Sequence, residues 1–512
     1  MMDSEISNEL PRQPFAEPVR LADVPRSDIH GFRARVIDAV VAGSRVAALF
    51  GHASPSEARV QLYAVLANEA ASTLELAATD VGDDYPAITP DCPQAHWFER
   101  EIAEQWGVVP RGHPWLKPIR FHRSYRPGKD AWHRPADDPM LPSVTDFFQM
   151  QGDEIHEVAV GPVHAGVIEP GHFRFQCAGE HVFNLEISLG YQHRGIERAL
   201  IGGPHKRTMH QMEAIGGDTS IGHATAYCRI IEALSGTQPS LRAQALRGVA
   251  LELERLANHT GDLGALADDV GFLSTASYCG RLRGDFLNST AMLCGSRFGR
   301  TMIRPGGVGW DLDPARIEQI RHKVEPAMSD VLGATDVLRS SLSVQSRFEE
   351  TGHVSREVCE QLGLVGVAAR ACGIARDVRH DFPSGIYRFA FIPVSTWDTG
   401  DVFARTYVRA LEIERSGQFV LQQLSTLPAG SPRTRVGPLA PDSLTVSLVE
   451  GWRGEICHVA LTDGEGHFSR YKIVDPSFHN WAGLQMALRD QQISDFPLCN
   501  KSFNLSYCGH DL

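Results

Sequence analysis

Long stretches with apolar residues at helical spacing fill most of the region between residues 207 and 424 of this 512-residue chain. Apolar side chains at i, i+3, i+4 and i+7 form one stripe along a helix, and that stripe must be buried against a partner. Stretches of this length also exceed the usual length of a β-strand. The sequence therefore predicts a helical bundle as the main body of the fold. The predicted helices cover residues 207–235, 241–268, 272–295, 314–342, 355–375 and 400–424.

Shorter runs rich in β-branched and aromatic residues predict strands outside the bundle. VAALFGH and RVQLYAVL follow a helix that begins at Asp28, and a short amphipathic helix runs from Phe98 to Trp106. Further strands are predicted at HEVAVGPVH, HFRFQCAG and HVFNLEISLGYQH, and EICHVAL and FSRYKIV predict a hairpin around TDGEGH. The final segment, DFPLCNKSFNLSYCGHDL, is predicted to be irregular. The predicted fold class is α+β, in which a small N-terminal α+β domain precedes a large, mainly helical bundle domain with small peripheral β-sheets.

Composition divides the chain into four segments. Residues 1–24 are polar and rich in proline, which is typical of a flexible tail. Residues 25–122 are predicted to form the N-terminal domain. Residues 123–154 contain four prolines between 127 and 142, as expected of a linker. Residues 155–512 are predicted to form the second domain.

The balance of charge and hydrophobicity excludes several classes of function. The formal net charge of −13 opposes the neutralisation of phosphates that a nucleic-acid-binding surface requires. No run of about 18 apolar residues is present, and the first residues, MMDSEISNELPRQPFAEPVR, are acidic and polar, unlike a signal peptide. We therefore expect a cytoplasmic chain that binds no nucleic acid and does not itself span a membrane.

The cysteine and histidine patterns do not indicate a metal site. The ten cysteines form no C-x-x-C pair, which removes the usual thiolate spacing of zinc, iron–sulfur and thioredoxin-like sites. His193, His205, His210 and His223 cluster along the chain, but five residues separate His205 from His210, so these two do not share a helical face. The alternative interpretation is a set of hydrogen-bonded polar residues at a domain interface, and the sequence favours it.

A group of arginines stands out in this acidic chain. They occupy positions 281, 283, 297, 300 and 304, and arginine is suited to bidentate pairing at interfaces. The segment is either a solvated helix face or a docking surface for a partner or an anionic redox group. At its end, RPGGVGW lacks the spacing of a nucleotide-binding loop and predicts a tight turn between two helices.

Several segments together resemble one superfamily, the large subunits of membrane-associated (group 4) nickel-iron hydrogenases and the 49 kDa subunit of respiratory complex I. GPVHAGVIEPGHFRF and LGYQHRGIERAL resemble its first sheet and H-R-G-x-E turn, and ELERLANHTGDLGALADDVGF, CGRLRGDFL and RFGRTMIRPGGV resemble its central helices. GIARDVRHDFPSGIY, EGWRGE and RYKIVDPSFHNW extend the resemblance over about 155–512. In residues 28–122, WFEREIAEQWGVVPRGHPWL resembles the end of the 30 kDa subunit of complex I. The resemblance implies a hydrogenase large-subunit-like fold fused to a 30 kDa-like domain.

The resemblance also bears on metal binding, because hydrogenases of this superfamily hold nickel and iron with four thiolates from two C-x-x-C pairs. Through AIGGDTSIGHATAY, the first pair falls at Gly216 and Thr219. Through SFNLSYCGHDL, the second pair falls at Ser506 and Gly509, and Cys508 lies between these positions without replacing them. The resemblance therefore implies that this chain binds no nickel and no stoichiometric cofactor of its own.

The emptied metal cavity implied by the resemblance would have polar walls. Arg453 lines the cavity, and Asp218 stands inside the first ligand loop as a candidate for proton handling. Both are candidate catalytic residues. Such a cavity would hold water or the head group of a substrate such as a quinone. The candidate residues for binding a head group there are Gly216, Thr219, His223 and Ser506.

Quinone reduction is the other chemistry of this superfamily, and its head-group ligands are changed here. The histidine position on the loop of the first sheet falls at Glu169 or Pro170, and the tyrosine position falls at Gly217. Glu169 remains a proton-handling candidate together with Asp269, which stands at the start of the implied proton route, because partly desolvated carboxylates have shifted pKa values. Both residues are equally well explained as structural acids in salt bridges.

The function that the resemblance implies is that of a subunit of a membrane-bound oxidoreductase. Electrons would arrive from an iron–sulfur subunit similar to the 20 kDa subunit of complex I, whose cluster His193 and Arg194 would face. NADH or ferredoxin would bind to another subunit, a quinone-like molecule would accept the electrons, and the transfer would be coupled to proton handling. Membrane subunits similar to proton pumps would hold the chain at the inner face of the cell membrane.

Two alternatives belong to other classes. The chain would be a non-catalytic scaffold that couples conformational change to the membrane subunits, or an active nickel-iron hydrogenase, which the missing thiolates disfavour. A redox molecule bound between residues 216–223 and 506–509 favours electron transfer, whereas a collapsed cavity there favours the scaffold.

Overall fold

The computed structural model describes residues 17–53, 59–135, 137, 139–141, 146–164 and 168–512. Most of the tail predicted over 1–24 lies outside these residues. The last part of that segment lies against the second domain, because strand β1 (Val19–Arg20) pairs antiparallel with residues 443–444 and a 3₁₀ turn follows at Leu21–Asp23.

The N-terminal unit is an antiparallel sheet covered by one helix. Helix α1 (Ile29–Val41) begins where it was predicted, after Asp28, whose carboxylate accepts a hydrogen bond from the backbone N–H of Gly31 at 2.7 Å. Both predicted strands are present, and a third strand, which the sequence analysis did not predict, completes the sheet. The first connection, residues 54–58, lies outside the described residues. The strands are β2 (Arg45–Ala53), β3 (Val60–Asn68) and β4 (Thr73–Val81).

Helix α2 (His96–Trp106) is buried on nearly every side. The helix predicted over 98–106 is present, but the prediction that one of its faces is exposed to solvent is wrong. Glu99 and Glu101 are fully buried. Glu99 accepts hydrogen bonds from two backbone N–H groups, at 2.8 and 2.9 Å, and Glu101 pairs with a lysine of the second domain. The polar face is buried because the second domain covers it. A short parallel pair, β5 (Asp84–Pro86) and β6 (Val109–Arg111), lies beside this helix.

The described residues of the predicted linker, 123–154, contain neither helix nor strand. An antiparallel sheet follows, in which the central strand pairs with both neighbours. These three strands match the predicted ones. They are β7 (His156–Val160), β8 (His172–Ala178) and β9 (His181–Ser188).

Helices form the body of the second domain. They are α3 (Ile196–Ala199), α4 (Thr208–Met212), α5 (Ser220–Ser235), α6 (Leu241–Asp269), α7 (Leu273–Cys294), α8 (Pro314–Ser340), α9 (Leu342–Phe348), α10 (Arg356–Leu362), α11 (Gly366–Arg370), α12 (Val378–Asp381) and α13 (Val402–Ser425). Helix α6 is central and packs extensively against α7 and α13. Among the described helices, none combines the length and the apolar character that crossing a bilayer requires.

Glycines interrupt two of the helices that the periodicity predicts. The stretch 207–235 is divided into α4 and α5, with Gly216 and Gly217 in the intervening loop. The stretch 355–375 is divided into α10 and α11 at Gly363, whose φ of +66° is left-handed and ends α10. Apolar spacing continues through both breaks, so periodicity alone overestimates the length of these helices.

The remaining sheets and the C-terminal helices complete the second domain. RPGGVGW forms the predicted turn between two helices, as a ribbon of β10 (Ile303–Arg304) and β11 (Gly307–Val308). The predicted hairpin is extended by two further strands, in the order β1, β12, β13, β14. The strands are β12 (Ser443–Glu450), β13 (Glu455–Thr462) and β14 (Phe468–Val474), and the helices are α14 (Pro476–Ala487), α15 (Phe496–Phe503) and α16 (Tyr507–Asp511).

The C-terminal segment, predicted to be irregular, is mostly helical. Pro497 lies in the first turn of α15, where a helix tolerates proline. Asn504, with a left-handed φ of +45°, ends α15, and Ser506 caps α16 by accepting a hydrogen bond from Gly509 N at 2.9 Å. Two short helices therefore replace the expected coil.

The N-terminal unit and the second domain share one hydrophobic core, in which Phe50 and Trp97 pack in the same buried cluster as Val459. A buried ion-pair network crosses the same boundary. The ammonium group of Lys472 on β14 donates to Glu101 of α2 at 2.7 Å and to Glu197 of α3 at 2.9 Å. The two predicted domains are thus joined by core packing as well as by the chain.

Candidate functional site

Two loops that lie far apart in the sequence are 216–219, which leads into α5, and 506–509. The first turns of α5 and the second loop meet at the carboxylate of Asp475. His223, one turn into α5, places its Nε2 atom 3.1 Å from Asp475 Oδ2. From the other side, a Cβ atom built on Gly509 would lie 2.7 Å from Asp475 Cγ. The structure therefore brings together both pairs of positions that the sequence analysis assigned to missing thiolates.

An ion pair between Asp218 and Arg453 bridges the same region. The guanidinium donates from Nη1 and Nη2 to the two carboxylate oxygens at 2.7 and 2.8 Å, and its Cζ lies 3.9 Å from the ring centroid of Trp452. The hydroxyl of Thr219 donates to Asp218 Oδ1 at 2.9 Å. Burial alone would raise the pKa of Asp218, but Arg453 holds it below its usual value. The carboxylate is therefore ionised at neutral pH.

Polar contacts continue from this pair into the helical bundle. Arg453 Nε donates to the carbonyl of Asn504 at 2.5 Å, and Asn504 Nδ2 donates to Asp262 on α6 at 2.6 Å. The other carboxylate oxygen of Asp262 accepts from Arg409 on α13 at 2.7 Å. Because each buried charge has an opposite charge or a strong hydrogen bond, the second loop is held rigidly to α6 and α13.

A chain of buried hydrogen bonds leads away from Asp475 on the opposite side. His223 Nδ1 lies 3.1 Å from His458 Nε2, and His458 Nδ1 lies 2.9 Å from Tyr471 Oη. Burial lowers the pKa of His458 well below its usual value and raises that of Tyr471 well above it, so both are neutral. Neutral imidazoles each carry one donor and one acceptor nitrogen. The chain can therefore transfer a proton if its members exchange these roles in turn.

Glu254 on α6 lies directly behind the first loop. Its carboxyl group accepts hydrogen bonds from the backbone N–H groups of Ile221 and Gly222, at 2.7 and 3.1 Å, in the first turn of α5. Burial raises the pKa of Glu254 to about 8. A carboxyl group with such a pKa changes its protonation state near neutral pH and is suited to proton transfer.

Glu169 lies at the second loop, half-buried. Its Oε2 accepts a hydrogen bond from the backbone N–H of Tyr507 at 3.3 Å. It also lies beside Cys508, because burial, and after it the charge of Glu169, raises the pKa of that thiol to about 11. Glu169 therefore lies next to the second loop, and its role in proton handling stays a prediction.

His193 and Arg194 form the edge of the site. Arg194 donates from Nη1 to the carbonyl of Ala214 at 2.6 Å and from Nη2 to that of Cys508 at 2.7 Å, and its side chain remains exposed. His193 stacks on His122 with ring centroids 4.8 Å apart. Arg194 thus ties the segment before the first loop to the second loop at the protein surface.

Asp269 is not part of this constellation. It is the last residue of α6 and is exposed. Asn258, whose side chain donates to the carbonyl of Asp218 at 2.9 Å, lies eleven residues earlier on the same helix. At about 1.5 Å per residue, Asp269 is roughly 16 Å further along the helix axis. The structure brings Asp218, Arg453, Glu169 and the two loops together but leaves Asp269 apart.

The five arginines between 281 and 304 do not form one cluster. Arg281 pairs with Asp285 at 2.9 Å, and Arg304 pairs with Glu213 at 2.8 Å. In contrast, Arg297 and Arg300 are exposed. They flank the exposed Phe298, and near them Trp310 is 49% exposed. The end of the segment therefore resembles a docking surface more than its beginning does.

The donor set does not fit a nickel–iron centre. None of the positions 216, 219, 506 and 509 carries a thiolate, and hydroxyl oxygens are poor ligands for soft metals. Asp475 stands where a side chain on residue 509 would extend. In the part of the chain that the structure describes, no three His, Cys, Asp or Glu side chains are arranged to hold a metal ion. The absence of nickel stays a prediction that requires elemental analysis.

Replacing Gly509 by alanine is expected to lower the free energy of unfolding by about 1–3 kcal/mol, the usual cost of overpacking a core. The new methyl group would clash with Asp475 Cγ at 2.7 Å and with Ser506 Oγ at 2.9 Å. Gly216→Ala is the matched control, because its Cβ would have no neighbour closer than 3.4 Å. Thermal unfolding of both variants measures the difference. Equal shifts in melting temperature would contradict the close contact between Asp475 and residue 509.

Sequence reasoning missed several residues of this site. Asp475 precedes Pro476 and caps α14 by accepting from Ser477 N at 2.8 Å, so the Asp-Pro pair signals a helix start but gives no sign of a second role. His458 alternates with apolar residues on β13 and reads as an ordinary strand residue. Glu254 lies within a helical repeat of charged and apolar residues. No local pattern distinguishes these three from structural residues.

Comparison with known proteins shows similarity along most of the chain. The profile of the 30 kDa subunit of respiratory-chain NADH dehydrogenase matches residues 24–141. The profile of the 49 kDa subunit matches residues 269–439 and 433–511. Formate hydrogenlyase subunit 5 of Escherichia coli is 29% identical over 439 residues, which cover 83% of this chain and 76% of that protein.

Two further relatives extend this similarity. The carbon monoxide-induced hydrogenase of Rhodospirillum rubrum is 30% identical over 357 residues, which cover 68% of this chain and 97% of that protein. This chain belongs to the family of hydrogenases and 49 kDa NADH dehydrogenase subunits. Within the family, the C/D subunit of the NADH-quinone oxidoreductase of Bacteroides thetaiotaomicron is 27% identical over 406 residues, 75% of this chain and 77% of that protein.

Family membership confirms the resemblance that the sequence motifs indicated. The matched regions include both a 30 kDa-like and a 49 kDa-like part, and the α+β fold with a large helical domain agrees with this. The chain is therefore a member of a family of oxidoreductase-complex subunits.

Proposed function

We propose that this chain is the subunit of a membrane-bound oxidoreductase complex that faces an iron–sulfur subunit, and that it works without nickel. NADH or ferredoxin bound to another subunit would supply the electrons, and a quinone-like molecule would accept them. Membrane subunits similar to proton pumps would hold the chain at the inner face of the membrane. The relatives support the class of complex, since their names include hydrogenases and NADH-quinone oxidoreductase subunits.

The position of Arg194 is the observation that carries this proposal. Its guanidinium ties the segment just before the first loop to the second loop, through the backbone carbonyls of Ala214 and Cys508, and it does so at an exposed edge. A guanidinium is always charged and pairs well with anionic groups. An arginine that both closes the site and reaches the surface is suited to lie between this chain and the iron–sulfur cluster of a partner.

A docking surface next to this edge supports the same partner. Phe298 and Trp310 are 42% and 49% exposed, and Arg297 and Arg300 are exposed with them. Aromatic residues and arginine are enriched at protein interfaces. This surface borders the first loop, because Gly299 packs against Ile221 of α5. A partner covering it would reach the same edge as Arg194.

The polar groups of the site support proton handling at a quinone-like head group. The side chain of Asp218 is 32% exposed, and Gly217 beside it is exposed, so a ligand can approach the Asp218–Arg453 pair from solvent. Glu169 and Glu254 lie at the two loops and would supply or accept protons. The hydrogen-bonded chain through His223 would carry protons inward.

A non-catalytic scaffold is the second candidate, and one observation favours it. Asp475, Asp218 and Arg453 pair with the protein's own groups in the region where the superfamily binds its metal. A site whose charges are already paired has less to gain from a ligand. A scaffold would need these pairs only to hold the two loops together.

One purification tests both candidates. The full-length chain, tagged and isolated with its complex from detergent-solubilised membranes, is analysed for nickel, iron, acid-labile sulfide and extractable quinone. We expect iron and sulfide from the co-purified partner and no stoichiometric nickel, because four thiolates are missing. One nickel per chain would contradict the proposal. A complex that contains clusters but neither binds nor reduces quinones would favour the scaffold.

Arg194→Ala in the same complex is expected to reduce co-purification of the iron–sulfur subunit. The change removes both the exposed charge and the link between the loops. Arg198→Ala is the matched control, since Arg198 is also exposed and lies four residues away but packs on the ring of Tyr125, at 5.3 Å. Subunit ratios from quantitative mass spectrometry and the reduction potential of the cluster are the measurements. If both variants retain the partner and an unchanged potential, the role of Arg194 is wrong.

A further inference from the structure

A cavity of about 460 Å³ lies along α5, away from the two loops. Its walls come from α5, the first half of α6, the 3₁₀ turn Gly385–Arg388 and the end of β12. None of the site residues described above lines it. This volume is within the range of pockets that hold small organic ligands.

Four arginines line the cavity, and two of them are already neutralised. Arg247 donates to both carboxylate oxygens of Glu232, at 2.9 and 2.5 Å. Arg379 donates to Asp377 at 2.6 Å. The charge of these two arginines is therefore balanced within the protein, and they serve mainly to shape the wall.

The other two arginines lack such a partner. Within the described part of the chain, neither Arg229 nor Arg388 touches a carboxylate. Arg229 donates to the backbone carbonyl of Leu448, and Arg388 lies 5.6 Å from the ring centroid of Phe389. Burial lowers the pKa of Arg229 to about 10, although the charge of Glu232 acts in the opposite direction, and this reflects the cost of a desolvated cation without a carboxylate in contact with it. An anion in the cavity would offset this cost.

The rest of the lining suits an anion with an apolar body. The hydroxyl of Thr225 is buried and has no hydrogen-bond partner within the described structure, so it is available to a ligand. Apolar surface comes from Leu251, Val378 and Ile386.

Besides Glu232, the partner of Arg247, two carboxyl groups line the cavity. Glu17 lies exposed at the rim. Glu450 is held by Arg370 at 2.8 Å, and burial raises its pKa to about 7, which reduces its negative charge. Neither forms an ion pair with Arg229 or Arg388.

We propose that this cavity binds a small organic anion. Its carboxylate or phosphate group is held by Arg229 and Arg388, with the hydroxyl of Thr225 as a further donor. Its hydrocarbon part packs against the apolar wall on α6 and the 3₁₀ turn. The site is separate from the loops around Asp475, so it does not depend on the function proposed above.

Isothermal titration of the full-length chain tests this proposal with four probes: hexanoate, hexyl phosphate, hexanamide and inorganic phosphate. We expect saturable binding of at least one of the two organic anions. Hexanamide and inorganic phosphate should bind at least about tenfold more weakly, since one lacks the charge and the other the apolar body. No saturable binding of either organic anion up to about 10 mM would overturn the proposal. Equal binding of all four probes would overturn it as well.

Variants locate the binding in this cavity. Arg229→Met and Arg388→Gln should each weaken anion binding by at least about tenfold, the scale of one lost charge-assisted contact. Arg316→Gln, at an exposed arginine on α8 outside the cavity, should change it less than about twofold. If Arg229→Met does not fold, Arg388→Gln decides, because Arg388 is only half-buried. Unchanged affinity in Arg388→Gln would contradict the assignment.

Discussion

Replacing Lys472 with methionine is expected to lower the free energy of unfolding by about 3–5 kcal/mol, the range for removing one partner of a buried ion pair. Lys472 is fully buried, and its ammonium group lies between the carboxylates of Glu101 and Glu197. Methionine keeps the length of the side chain but leaves two buried carboxylates with less positive charge. Urea unfolding followed by tryptophan fluorescence measures the change.

The matched control is Lys323→Met on α8. Lys323 is partly exposed and lies 3.6 Å from Asp285, so its loss should cost less than about 1 kcal/mol. The pH dependence gives a second check. Burial alone would raise the pKa of Glu197, but Lys472 and Arg470 hold it well below the usual value. The stabilisation is therefore present above the usual glutamate pKa and is lost as the pH falls below about 4.3. A Lys472→Met variant as stable as Lys323→Met would show that this network contributes little.

Glu169→Gln is expected to lower coupled electron transfer by about tenfold or more, the scale for losing a positioned proton-transfer group. The amide keeps the shape of the side chain and can still accept the hydrogen bond from Tyr507 N, but it cannot take up a proton. Electron transfer and proton uptake are measured in membranes and normalised to the amount of assembled complex. Asp269→Asn is expected to act in the same direction through the separate proton route that the resemblance implies, because Asp269 lies apart from the two loops and burial raises its pKa.

Glu157→Gln provides the control for a surface carboxylate. Glu157 lies on β7, in the sheet whose next strand, β8, begins three residues after Glu169. It pairs with Arg174 at 2.9 Å, away from the two loops. Its amide should retain nearly full activity. If Glu169→Gln and Asp269→Asn are fully active, or if both prevent folding, these carboxylates are structural and the scaffold becomes the better explanation.

The sequence predicts the main helices well because their apolar stripes are buried along most of their length. Helices α6, α7, α8 and α13 agree with their predicted bounds to within about two residues. The predictions fail at Gly363, where a left-handed residue ends a helix although the apolar spacing continues. They also fail in the C-terminal segment, where Ser506 caps a helix within a sequence that lacks apolar spacing. A helix cap or a left-handed backbone conformation depends on one residue. The spacing of apolar residues therefore gives no information about it.

The candidate site was only partly accessible from the sequence. The two loops could be located because their flanking motifs resemble those of a known superfamily. Their meeting point at Asp475 could not, since 252 residues separate it from His223. The buried charges of α2 were misjudged for the same reason, because the lysine that pairs with Glu101 is 371 residues away. Local patterns treat a charged residue as exposed unless its partner is nearby in the chain.

The shared core of the N-terminal unit and the second domain limits what the segment between them contributes. Two surfaces that already fit each other through buried side chains and ion pairs do not need a covalent connection in order to associate. What the connection adds is a high local concentration of one surface near the other. It also fixes their ratio at one copy of each. Residues 123–154 would then affect the stoichiometry and rate of assembly, while the contacting surfaces would determine how strongly the two domains associate.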